Sequence, residues 1–271
     1  MRSFQDATVL VTGASSGIGE AFVRNLAGRG ANLILVARSA DKLEQLAQTL
    51  SQQHNVRIDC FPLDLAVADS PETLFEQVNS SNLSVDVLVN NAGIGYWGNF
   101  TEGEIRNFQQ MIDLNVRAVV SLSYFFLPAM IQRRGGGIIN VSSVVGFQPI
   151  PYGSVYVGTK AFVLHYSESL WGECRKHGVT ITALCPSTTN TNFFQVAIPD
   201  ERAREIRMQK TPKTQSPDFV VEVGLNAFLR GKNHVIPGLA SYLSTHISQL
   251  SLVFARRLAV TFAGSLFDPD K

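Results

Sequence analysis

Tyr156 and Lys160 stand four residues apart in the stretch "YGSVYVGTKAF", residues 152–162. On a helix, residues i and i+4 share one face, so this spacing sets an ammonium beside a phenol. A neighbouring positive charge favours phenolate and draws the phenol pKa down from its usual ~10. A phenol tuned toward neutral pH can give a proton to a carbonyl oxygen or take one from an alcohol. Tyr152, one turn earlier, has a tyrosine instead of a lysine four positions on, and reads as pocket lining. Taken singly, the pair also fits a surface helix with a cation beside an aromatic ring.

A second group of residues suggests what the phenol could serve. "VLVTGASSGIGEAF" carries Gly13, Gly17 and Gly19 in a GxxxGxG spacing, with Ser15, Ser16 and Ile18 between them. Where a strand turns into a helix, such glycines permit a tight turn and close approach of backbone to a pyrophosphate, which then faces the helix N-terminus. A glycine turn of purely structural use is the alternative. The next strand ends "LILVARSADKL". In a dinucleotide fold this end meets the adenine ribose, where an acidic residue would suit a free 2′-hydroxyl. Here Arg38 stands instead, with Lys42 one turn into the following helix. A guanidinium matches a 2′-phosphate, which favours NADP(H) over NAD(H).

The elements that must position these residues are legible as a rhythm. Seven short apolar runs, "ATVLVT", "ANLILVA", "VRIDCFPL", "VDVLVN", "GGIINVSS", "VTITALC" and "HVIPG", alternate with helical patterns such as "DKLEQLAQTLSQQ" and "ESLWGECRKH". Near-continuous hydrophobicity marks parallel strands covered on both faces. The alternation predicts an α/β fold, a doubly wound parallel sheet of about seven strands with helices on both faces, in a single domain over 1–238. Two stretches break the rhythm. Residues 187–215 form a long polar insertion after a strand end, a usual place for a substrate lid. Residues 239–267 are apolar but carry Arg256 and Arg257 centrally, whereas a membrane-spanning helix needs about 20 apolar residues. They are expected to form a helical extension over 239–271, packed on the same domain or on a partner. Contact with a membrane surface is the alternative.

Composition excludes several classes. In 271 residues the hydrophobic share is 45%, enough for a sizeable core, and the formal net charge is +1, with no basic stripe to meet nucleic acid. Cys60, Cys174 and Cys185 are read as buried thiols of a reducing compartment, and no clustered Cys or His suggests a metal. "MRSFQDATVLVTGAS" shows no signal-peptide pattern, so the cytoplasm is expected.

With these residues in hand, the chain resembles the short-chain dehydrogenase/reductase family. The resemblance rests on "TGASSGIG" (12–19), "NNAG" (90–93), "VSS" (141–143), "YVGTK" (156–160) and the stretch from Pro186 to Thr191, in the family's order from about residue 5 to 237. It implies a Rossmann-type fold and a catalytic tetrad of Asn115, Ser143, Tyr156 and Lys160. It also implies that Asp64 contacts the adenine, that Asn91, Ala92 and Gly93 run along the adenosine ribose, that Thr191 lies near the nicotinamide carboxamide, and that Leu65 and Thr189 belong to the cofactor-binding set. Tyr156 and Lys160 would contact the cofactor as well. Ser143 would donate to the oxygen on which negative charge develops, and Asn115, poorly suited to a mid-helix position, would hold a water of the proton relay. Two departures stand out: Pro186-Ser187 replaces the usual Pro-Gly, and Ser16 occupies a position that is often basic in NADP-using members.

The activity implied is NADPH-dependent, reversible reduction of a ketone or aldehyde to an alcohol. Tyr96, Trp97, Phe147, Phe193 and Phe194 suggest an apolar pocket and a small hydrophobic carbonyl or alcohol substrate. A basic excess at Arg202, Arg204, Arg207, Lys210 and Lys213 fits a solvated helix or a phosphopantetheine-linked acyl group. The competing readings are an NADP(H)-binding regulatory or scaffold protein without turnover, and a sugar-nucleotide epimerase, which would carry a GxxGxxG loop and a larger C-terminal domain. Apolar faces on "VRAVVSLSYFFLPAM" and "VYVGTKAFVLHYSESLW" suit pairing into a homodimer or homotetramer, as is common in the family.

Overall fold

A computed structural model of the chain describes residues 1–198, 201 and 214–249. Seven strands form one sheet: β1 (Thr8–Thr12), β2 (Asn32–Ala37), β3 (Ile58–Pro62), β4 (Val87–Asn90), β5 (Gly137–Val141), β6 (Thr180–Leu184) and β7 (His234–Val235). Their order is β3-β2-β1-β4-β5-β6-β7, and every pairing is parallel. The helices are α1 (Gly17–Ala27), α2 (Ala40–His54), α3 (Ser70–Ser80), α4 (Ile105–Ile112), α5 (Ala118–Arg133), α6 (Ser154–Cys174), α7 (Phe193–Ala197), α8 (Pro217–Leu229) and α9 (Leu239–Gln249).

The period-2 alternation of strand side chains sends alternate residues to two layers. Val9, Val11, Leu33, Leu35, Val87 and Val89 pack with residues of α1, α2 and α8. Leu10, Ile34, Val36, Leu88 and Ile138 pack with α3 and α5 on the other face. This double cover is why the strands read as continuous apolar runs. The strand order reverses between β1 and β4, and this is the switch point at which the carboxyl ends of the strands leave a crevice.

All seven expected strands are present. β7 keeps only two residues, because Pro237 follows closely and a proline cannot donate to the ladder. Cys60 corrects an expectation: it lies on β3, an edge strand, and is half-buried, whereas Cys174 and Cys185 are buried. By length and composition alone the run 105–133 could cross a membrane, but Leu122, Phe126 and Met130 pack it into the second layer. That run is not one regular helix. Asp113–Arg117 form a π-turn, in which the Ala118 N–H donates to the Asp113 carbonyl, five residues back.

Of the insertion 187–215, the described part contains α7, and Thr189 pairs with Gln215 in an isolated parallel bridge. Arg202, Arg204, Arg207, Lys210 and Lys213 lie outside the described residues. Of the C-terminal segment α9 is described. Arg256 and Arg257 lie outside.

Candidate active site

One cleft of about 1170 Å³ opens at the switch point. Of the residues assigned above to the cofactor, the tetrad and the pocket wall, all line it except Gly19, Asn115, Phe147 and Tyr152. Its floor begins where β1 turns into α1. Gly13 and Gly17 have φ of +65° and +58°, a region glycine enters without strain. A Cβ on Gly13 would sit 2.9 Å from the Ala92 Cα, and one on Gly19 would run into the Gly13 carbonyl oxygen. Ser16 precedes α1 in extended conformation with no side-chain cap, so the helix N-terminus is left to the cleft. Thr12 locks this loop to the one after β4. Its hydroxyl donates to the Val89 carbonyl at 3.2 Å and accepts the N–H groups of Asn91 and Ala92 at 2.9 and 3.0 Å. Asn91 Nδ2 returns a bond to the Thr12 carbonyl at 2.9 Å.

Beside the carboxyl ends of β2 and β3, Arg38 leaves β2 with its side chain 70% exposed, its Nη1 4.0 Å from Asp64 Oδ2. An exposed pair this long contributes little stability. Asp64 Oδ1 accepts the Ala66 N–H at 3.0 Å, which fixes the turn after β3. Leu65 is buried in the core layer and shows only an edge to the cleft. At the other end Thr191 crosses over the glycine loop, its methyl 3.1 Å from where a Cβ on Gly17 would be. The Thr189 hydroxyl donates to the Ser187 carbonyl at 2.9 Å. Ser187 is not among the residues with positive φ, so replacing the usual glycine here strains nothing.

The tetrad residues converge from three segments. Tyr156 and Lys160 lie one turn apart on α6, as the spacing requires, and are 8% and 6% exposed. Lys160 Nζ lies 5.8 Å from the Tyr156 ring centroid and donates to the Val141 carbonyl at 2.9 Å. Burial holds its ammonium down to about 8, with Cys185 opposing this weakly. Ser143, at the end of β5, donates to the Pro186 carbonyl at 3.2 Å and accepts the Val145 N–H at 3.4 Å. Asn115 occupies the π-turn, which answers why an asparagine tolerates that helical position. Its Oδ1 accepts the Ile94 N–H at 3.0 Å, and its Nδ2 donates to the Ile94 carbonyl at 2.9 Å and to Thr159 Oγ1 at 3.1 Å. A Cβ on Gly93 would lie 3.1 Å from Asn115 Oδ1 and 3.4 Å from Lys160 Nζ, so these groups meet behind one bare backbone position.

Tyr96, Trp97, Phe193 and Phe194 line the cleft beside the phenol, as expected. Trp97 and Phe193 bring their ring centroids to 5.9 and 5.3 Å from that of Tyr156. Two expectations are corrected. Phe147 turns away to pack with Leu164, Cys185 and Ile236 and against His234. Tyr152 has φ +63° and contributes its carbonyl to the Gly98 N–H, so it shapes the turn and does not line the cleft. Sequence reasoning missed Met111 and Leu114, which complete the wall from α4 and the π-turn. Their helical spacing three apart was the available signal.

The comparisons with known proteins agree with this geometry. A family model described as short chain dehydrogenase matches residues 7–202. The chain belongs to the short-chain dehydrogenase/reductase family. It is therefore an oxidoreductase acting between CH–OH and C=O groups. Among relatives, it is 30% identical over 233 residues to a very-long-chain 3-oxoacyl-CoA reductase of Anas platyrhynchos, covering 83% of this chain and 71% of that one. Among solved structures, it superposes with TM-score 0.78 and 31% identity on a short-chain dehydrogenase from Sphingobium yanoikuyae in complex with NADPH, over 94% of this chain and 95% of that one. A bulky-bulky ketone specific alcohol dehydrogenase from Comamonas testosteroni gives TM-score 0.76 and 30% identity, over 94% of each chain.

Proposed function

We propose that the protein is an NADPH-dependent reductase of ketones or aldehydes on hydrophobic substrates, reversible toward the alcohol, with Tyr156 as the general acid and base. The observation that carries this is the buried Lys160 ammonium beside the Tyr156 phenol, in the same cleft as the glycine loop. The residues present fit a dinucleotide. Gly13, Gly17 and Gly19 keep clear the backbone surface that side chains would fill, and Arg38 offers a cation where a 2′-phosphate would lie. When bound, the nicotinamide supplies or receives the hydride at the carbonyl carbon.

The chain's own residues handle the proton and the oxygen. Tyr156 donates its phenolic proton to the carbonyl oxygen as charge develops there. Ser143 turns its hydroxyl from the Pro186 carbonyl to that oxygen, giving a second donor. Lys160 holds the phenol toward phenolate and, titrating at about 8, can resupply the lost proton near neutral pH. In the oxidative direction Tyr156 takes the alcohol proton. Trp97, Met111, Phe193 and Phe194 keep water from the phenol and favour an apolar substrate. The relatives named for an acyl chain and for a bulky ketone support that preference. The exposed rings of Tyr124 and Phe162 on α5 and α6 support pairing with a second copy, and three free thiols support a reducing, cytoplasmic location.

The test is NADPH consumption against a β-ketoacyl thioester, a steroid ketone, an aromatic aldehyde and a quinone, with Tyr156→Phe in parallel. Consumption that Tyr156→Phe abolishes is the expected result and names the substrate class. Turnover retained by Tyr156→Phe would remove Tyr156 from the reaction. NADPH binding without consumption of any of the four would favour a nucleotide-binding regulator.

A further inference from the structure

Thr159 stands between Tyr156 and Lys160 on α6, is 4% exposed, and lines no part of the cleft. Its Oγ1 donates to the Tyr156 carbonyl at 2.7 Å. A threonine hydroxyl that returns to its own helix in this way is ordinary. Less ordinary is that the Asn115 amide, 44 residues away in sequence, lands on the same oxygen at 3.1 Å. A hydroxyl has one proton and two lone pairs. With the proton on the Tyr156 carbonyl, Oγ1 meets Asn115 as an acceptor. The amide orientation is fixed independently, because its Oδ1 accepts from Ile94 and its Nδ2 donates to the carbonyl of the same residue. The polarity therefore runs one way, from Asn115 through Thr159 to the backbone of Tyr156.

We propose that Thr159 is a positioning residue whose hydroxyl locks the π-turn carrying Asn115 to the first turn of α6, so that the relay amide and the phenol are held as one unit. This rests on the reading of Tyr156 as proton donor. Without the hydroxyl, one buried amide N–H of Asn115 loses its partner, and the π-turn loses this side-chain tie to α6. Asn115 Oδ1 and Lys160 Nζ face the same bare position at Gly93, so a π-turn that shifts against α6 disturbs the path by which Lys160 is reprotonated. The cofactor contacts stay as they are.

Thr159→Val keeps the branched shape and removes the hydroxyl, whereas Thr159→Ser keeps the hydroxyl. Both are assayed for NADPH oxidation in H2O and D2O, with active sites counted by NADPH titration and Tyr156→Phe as reference. The expected result for Thr159→Val is a kcat per site lowered ~10-fold, a KM for NADPH unchanged, and a larger solvent isotope effect, because proton delivery becomes limiting. Thr159→Ser should restore both kcat and isotope effect. A Thr159→Val enzyme with parental kcat per site and isotope effect, beside an inactive Tyr156→Phe, overturns the positioning role and leaves the reading of Tyr156 standing. An active Tyr156→Phe overturns both. Fewer binding sites with parental kcat per site would mean a purely structural role and overturns the proposal. If Thr159→Val does not fold, Thr159→Ala is judged by the same criteria.

Discussion

Lys160→Met should cost the enzyme its turnover and make the cofactor-free protein more stable at pH 7. The ammonium is fully buried, and its pKa falls from the ordinary 10.5 to about 8 chiefly through desolvation. That gap corresponds to ~3 kcal/mol of penalty on the charged form. Methionine keeps the unbranched stem and removes the charge. It also leaves the Val141 carbonyl without its donor at 2.9 Å, at a cost of ~1–2 kcal/mol. The net gain is ~1–2 kcal/mol at pH 7, or a Tm rise of roughly 2–4 °C for a chain of this size. The sign follows from proton linkage. Below about 8 the lysine is charged in folded and unfolded states alike, and the parent carries the whole penalty. Between about 8 and 10.5 the unfolded chain binds more protons than the folded one, so parental stability rises with pH. Above that window both states are neutral and the advantage of methionine is gone. Thermal unfolding of both proteins at pH 7 and near pH 10, without cofactor, measures this. A variant less stable than the parent at pH 7, or a difference that stays constant with pH, would refute the desolvation reasoning. The kcat profile of any residual activity should lose its inflection near 8.

Arg38→Ala should raise the KM for NADPH by ~10–100-fold, the range for losing a charge-assisted contact, and leave that for NADH nearly unchanged. Equal losses for the two cofactors in steady-state assays would remove the 2′-phosphate assignment. Gly19→Ala places a methyl against the Gly13 carbonyl oxygen and 2.6 Å from Asn91 Nδ2. It should abolish NADPH binding measured by fluorescence titration and lower Tm; an unaltered titration would mean that the loop relaxes at no cost to cofactor binding.

The strands were legible because two-sided burial leaves uninterrupted apolar runs, and the helix carrying Tyr156 and Lys160 because one spacing serves one face. Three features were not legible, each for a definable reason. The π-turn at Asp113–Arg117 is a change of backbone hydrogen-bond register, which side-chain spacing does not record. Phe147 ends the short helical turn after β5 and Tyr152 lies in the loop that follows, where a single residue of backbone twist decides which side a ring faces. Tyr152 takes a left-handed φ there, and Phe147 follows the turn to His234. The burial of Cys60 depends on strand order, and β3 turns out to be an edge. Thr159 was visible within "YVGTK", but a hydroxyl's distant partner is set by tertiary packing alone.

The strand order also bears on how the chain can be built as it leaves the ribosome. β2 joins β1, and β3 joins β2; then β4 takes the opposite edge of β1, and β5, β6 and β7 follow outward in turn. No strand has to wedge between two that are already paired, so the sheet can grow by edge addition in the order of synthesis. The weak moment falls after β3, when the apolar flank of β1 stays uncovered until Val87 arrives to pair with Val9. An open, apolar edge is a template for foreign strands. Misassembly of this protein should therefore begin in nascent chains that end between β3 and β4.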